Sequence, residues 1–139
     1  MITLTKTFEF ASSHRLWRDE WSEEKNIQVF GKCARGHGHN YRLEVSVEGP
    51  INEETGMVID ARTLEAIVKE HILSVVDHKC LDTDVEWFAG KLTTVENIVD
   101  VFWIELSNAF KAHNDKLELY RIKLWETGRM FATRERDRS

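Results

Sequence analysis

The sequence predicts an α+β fold, an antiparallel sheet with two consecutive helices on one face. Three observations point there. Two runs of alternating hydrophobicity, 3–14 and 37–48, come first in the chain. Two stretches of helical period, one from Asp60 and one from near Thr93, then follow each other directly. A final alternating run, "KLELYRIKLWETG", completes the order strand, strand, helix, helix, strand, which is not the alternation of parallel βαβ units.

In the first run, "TLTKTFEFASSH", Lys6, Phe8, Phe10, Ser12 and His14 share one parity. The segment that follows, "RLWRDEWSEEKNIQVFGKCARG", is polar and irregular and reads as a long loop, a length that in a small domain points to function or disorder. In "HGHNYRLEVSVEG", His37, His39, Tyr41, Leu43, Val45 and Val47 occupy one face. "EGPINEETGMV" is a turn or short excursion leading to Asp60, which caps the first helix, with Leu64, Ile67, Val68, Ile72 and Val75 as its stripe. Thr93 and Glu96 have the spacing of a capping box for the second, whose apolar face is Val95, Ile98, Val99, Phe102, Leu106 and Phe110. In the last run Tyr120, Ile122, Leu124 and Glu126 fall on one face, and "RMFAT" suits a further short strand.

With 139 residues and 42% hydrophobic content, the chain reads as a single domain over 1–139. A formal charge of −5 argues against a nucleic-acid partner held by bulk electrostatics, and no apolar run is long enough for a bilayer. Two cysteines do not make a disulfide framework, and "MITLTKTFEF" lacks a signal-peptide pattern; a reducing, cytoplasmic setting is expected. Amphipathic strands at sheet edges would also favour assembly with further copies.

The chemistry concentrates in "CARGHGHNY", residues 33–41. Residues two apart on a strand project from the same face about 6.6 Å apart, so His37 and His39 can converge on one metal ion. His14 becomes a third ligand if the two strands pair as neighbours. Cys33 then decides the type of site. As a fourth ligand it closes a structural tetrahedron; as a free thiol beside an open zinc it is a base or nucleophile; as a small buried residue it is neither. Its flanks, Lys32 and Arg35, favour the reactive thiol over the buried one. Asp77 and His78 form either a helix terminus or a couple in which a carboxylate orients an imidazole. Glu126 is a carboxylate on an apolar face, where a ligand carrying two parallel N–H donors would pair with it. Cys80 has no partner spacing and reads as packing.

These residues resemble a known family. "FEFASSHRL", "FGKC" followed by "HGHNY", "TGMVID", "DHKCLD", "TTVEN" and a late "ET" stand in the order of the 6-pyruvoyltetrahydropterin synthases, shared with the 6-carboxytetrahydropterin synthases of queuosine biosynthesis. The chain departs from the common pattern at Ala61 and Val76, away from the proposed chemistry. The resemblance implies a tunnelling fold (T-fold), a homohexamer built from two trimers, and a lyase acting on 7,8-dihydroneopterin triphosphate. It implies that His14, His37 and His39 hold a catalytic Zn2+, that Cys33 is the catalytic thiol, and that Asp77 and His78 complete the proton-transfer machinery from a neighbouring subunit. It further implies that Glu126 anchors the pterin's 2-amino-pyrimidinone edge, with Thr93, Thr94 and Glu96 in the segment holding the ring. The three residues between Cys33 and His37 match the compact spacing of queuosine-pathway members. That spacing favours 6-carboxytetrahydropterin as the product, with 6-pyruvoyltetrahydropterin as the alternative.

Overall fold

The computed structural model describes residues 1–137. Five strands form one sheet in the order β3-β1-β2-β4-β5. They are β1 (Ile2–His14), β2 (His37–Gly49), β3 (Lys79–Cys80), β4 (Glu118–Thr127) and β5 (Met130–Glu135). The helices are α1 (Glu23–Phe30), α2 (Ala61–Val68), α3 (Ser74–Val76), α4 (Leu81–Asp84) and α5 (Val95–His113). Among the described residues, no helix is long and apolar enough to cross a membrane.

β1 and β2 pair antiparallel along their full length, from Ile2 opposite Gly49 to His14 opposite His37. This register puts Phe8 across from Leu43 and Phe10 across from Tyr41, all buried beneath α2 and α5 with Leu64, Ile98, Phe102 and Leu106. Burying such side chains is the main favourable term in the fold. The same parity that buries Phe8 and Phe10 carries His14 to the covered end of the sheet.

Four expectations need correction. The stretch 15–36 is not a plain loop: Ser22 caps α1 by accepting from the Lys25 amide, and a 3-10 turn, Gly31–Ala34, follows. The signal was weak because α1 buries only Asn26, whose side chain bonds the backbone of Arg18, Trp21 and Ser22. Between α2 and α3, residues Lys69–Leu73 wind as a π-helix. The extra residue in that turn moves the buried stripe on from the expected Val75 to Val76. The cap of α5 is Thr94, accepting from the Asn97 amide, so Thr93 and Glu96 do not form a capping box. Finally, β4 slips register against β2 between Ser46 and Val47. The bulge reverses parity there, so Leu119 rather than Tyr120 joins Ile122 and Leu124 in the core. Asp60 does cap α2, accepting from the Arg62 amide at 2.7 Å.

Candidate metal centre and active site

Three imidazoles meet where β1 ends and β2 begins. His14 and His37 are direct cross-strand partners, with ring centroids 4.6 Å apart, and the His39 ring lies 5.2 Å from that of His14. One ligand nitrogen from each lies within 4.8 Å of the others, a group able to hold one metal ion. Gly38 sits between the two ligands of β2, where an added Cβ would come 3.3 Å from the Ser12 carbonyl oxygen. A bare backbone lets β1 and β2 stay close at this point.

Hydrogen bonds orient the rings. His14 Nδ1 donates to the Thr93 carbonyl at 2.9 Å, and His37 Nδ1 donates to the Arg35 carbonyl at 2.7 Å. Each bond selects the tautomer whose Nε2 carries a free lone pair, as metal-ligating histidines require. The Nε2 atoms of His14 and His39 are buried with no hydrogen-bond partner, which is costly in a closed core and fits a bound cation. Burial holds the His14 imidazole below its ordinary value, partly offset by the bond to Thr93. Burial likewise lowers His39, against the nearby Glu126 charge. The residues present therefore fit zinc: three converging imidazoles, His14 buried and His37 and His39 half-buried.

The wall of the site comes from α5 and β4. Thr93 is fully buried just before α5; its hydroxyl donates to Asp82 Oδ1 at 2.8 Å, while the Arg15 amide donates to Asp82 Oδ2 at 2.7 Å. Sequence reasoning assigned no role to Asp82, although "DHKCLD" contains it; its buttressing of Thr93 depends on a contact across the fold. Glu126 Oε1 stands 3.8 Å from His39 Nε2, a charge contact beyond hydrogen-bond range. Thr94 is half-buried and spends its hydroxyl on the helix cap, while Glu96 is exposed on α5.

Cys33 lies half-buried in the 3-10 turn and is not one of the converging donors. Its carbonyl accepts from the Leu16 amide at 2.8 Å, which pins this turn beside the chain just after His14. Asp77 and His78 lie elsewhere, at the β3 edge. Asp77 Oδ1 accepts from the Ala11 amide at 2.9 Å and lies 3.0 Å from His78 Nδ1, an Asp–His couple in geometry. The Ala11 bond is the chief cause that holds the Asp77 carboxyl below its usual range. His78 has φ of 61°, a left-handed conformation unusual outside glycine, and its side chain is 82% exposed. Its amide bonds the Ala11 carbonyl at 2.6 Å, so the couple is fixed in place yet open to solvent in the single chain. A cleft of about 570 Å³ runs along this part of the sheet, lined by Ala11, Ser13, Gly38, Asn40, His78 and Cys80. Cys80 is half-buried; burial raises its thiol, but bonds with Thr83 and Ser13 outweigh that and lower it.

Three imidazoles able to hold one metal ion thus meet at the strand ends of an α+β sheet. The family model of 6-pyruvoyl tetrahydropterin synthase matches residues 3–137, and the chain belongs to that family of lyases. Among its relatives, the 6-pyruvoyl tetrahydrobiopterin synthase of Dictyostelium discoideum is 40% identical over 130 residues, covering 94% of this chain and 93% of the relative. The 6-carboxy-5,6,7,8-tetrahydropterin synthase of Haemophilus influenzae is 28% identical over 151 residues, covering 94% and 96%. The solved structure of Caenorhabditis elegans 6-pyruvoyl tetrahydropterin synthase superposes with a TM-score of 0.83 at 32% identity, covering 98% of this chain and 96% of that one. The fold is thus the T-fold of that family.

Proposed function

We propose that this protein is a zinc-dependent lyase that converts 7,8-dihydroneopterin triphosphate into 6-pyruvoyltetrahydropterin and triphosphate. The observation that carries this reading is the set of orphaned histidine nitrogens beside Glu126, in a chain of this family. The expectation of a 6-carboxy product rested on the short gap between Cys33 and His37. The 40% identity to a pyruvoyl enzyme, against 28% to a carboxy enzyme, favours the pyruvoyl product instead.

Each residue then has a role that its chemistry suits. His14, His37 and His39 hold zinc, which when bound supplies Lewis acidity toward the substrate's side-chain hydroxyls. The Glu126 carboxylate accepts the two parallel N–H donors of the 2-amino-pyrimidinone edge and fixes the ring. Thr93 and Thr94 hold the ring's wall in place. Cys33, as thiolate, takes a proton from the side-chain carbon, and the electron pair left behind expels triphosphate. Internal redox between side chain and ring then gives the pyruvoyl product without an outside reductant. Asp77 orients His78 through Nδ1 and leaves Nε2 free to move protons. The exposed His78 would be met by a second copy, in the hexamer of two trimers that the family resemblance implies.

Triphosphate release from dihydroneopterin triphosphate tests the assignment. The purified protein should release triphosphate, lose that activity on chelation and regain it with added zinc. A zinc-loaded protein that binds pterin but releases no triphosphate would exclude the lyase.

A further inference from the structure

One polar group at this site has no role so far. Tyr41 is wholly buried, two residues beyond His39 on the same face of β2, and its hydroxyl has no hydrogen-bond partner. Its ring is locked, stacked on Phe10 at 4.8 Å and edge-on to His39 at 5.5 Å. A phenol placed so firmly without a partner is costly, and phenylalanine would fill the same space without that cost. β2 and β4 pair Arg42 with Trp125 and Leu43 with Leu124. Glu126, the next residue of β4, lies 3.8 Å from His39 Nε2, and the Tyr41 ring sits edge-on to that same imidazole. Among the described residues the Glu126 carboxylate accepts no hydrogen bond; its near neighbour is His39 Nε2, itself buried without a partner.

We propose that Tyr41 is a positioning residue of the pterin site: its buried hydroxyl donates to the Glu126 carboxylate when His39 is engaged with metal, and aligns that carboxylate with the ring edge. The inference rests on the reading of Glu126 as the pterin anchor. His39 Nε2 stands too far off to donate to Glu126, so the carboxylate keeps two acceptor oxygens that must face the ring squarely. A donor fixed behind them limits their rotation, in the way second-shell partners orient ligating groups.

The test compares zinc-loaded wild type with Tyr41→Phe, Glu126→Gln and the double variant. Equilibrium binding of 7,8-dihydroneopterin, zinc content and thermal midpoint are measured for each. Tyr41→Phe should keep its zinc and an equal or higher midpoint, yet bind the pterin roughly tenfold more weakly, as expected for loss of a bond to a charged group. In the double variant the two losses should be less than additive, because both act through one carboxylate. If Glu126→Gln weakens pterin binding and Tyr41→Phe does not, Tyr41 is no positioning residue while the anchor reading stands. Unchanged binding in Glu126→Gln removes the anchor itself. Loss of zinc or of thermal stability in Tyr41→Phe would make the hydroxyl structural and overturn the proposal.

Discussion

Metal-binding imidazoles must be neutral, and burial keeps His14 and His39 in that state. Both bind protons less readily in the folded chain than in the unfolded one, whose value is 6.5. The metal-free protein therefore has its full stability above pH 6.5 and loses it as pH falls through the lowered folded values. Asp77 acts in a separate window, because its loss of stability begins only below 3.8. Urea midpoints of metal-free protein should fall between about pH 7.5 and 5, and a flat profile would contradict burial as the cause. The sequence pointed to these three histidines because parity on β1 and β2, once the strands pair as neighbours, brings them together. It did not reveal how they are oriented, since the Thr93 carbonyl that fixes His14 is 79 residues away in the chain. Cys33 follows the same logic: its exclusion from the donor set is a matter of geometry that spacing left open. Cys33→Ala should retain zinc and fold while triphosphate release falls roughly 10²–10⁴-fold, the scale of a lost general base. Metal analysis showing loss of zinc in that variant would return Cys33 to the ligand set.

Elements of clear period were read correctly and irregular ones were not. β1, β2 and α5 alternate or repeat strongly, and their expected positions hold. The misreadings have local causes: α1 buries a single asparagine, the π-helical turn shifts a stripe by one residue, and the β4 bulge reverses a face. None of these leaves a mark in a periodic pattern. The start of α5 matters most for the site, because the residue before its cap supplies the carbonyl that holds His14. Thr94→Ala removes the bond to the Asn97 amide and should cost about 1 kcal/mol in urea unfolding. It should also weaken zinc retention against a chelator, because a frayed helix start releases Thr93. Unchanged zinc retention alongside the lost stability would uncouple the cap from the metal centre.

At the scale of the whole molecule, the two groups assigned to the proposed site stand apart on the single chain. The histidine centre is held by Thr93 just before α5, with Glu126 against His39, whereas the Asp77–His78 couple is exposed beside β3. Sequence motifs named both groups but carry no information on which copy supplies which. If subunits share the site, mixing Cys33→Ala with His78→Ala protein and allowing exchange should recover triphosphate release that neither variant has alone. Sedimentation of the wild type should give six chains. Activity confined to isolated chains would exclude a shared site. One measurement decides the product directly: zinc-loaded protein is incubated with 7,8-dihydroneopterin triphosphate and the products are separated. Triphosphate and 6-pyruvoyltetrahydropterin without acetaldehyde are expected; acetaldehyde together with 6-carboxytetrahydropterin would contradict the pyruvoyl assignment.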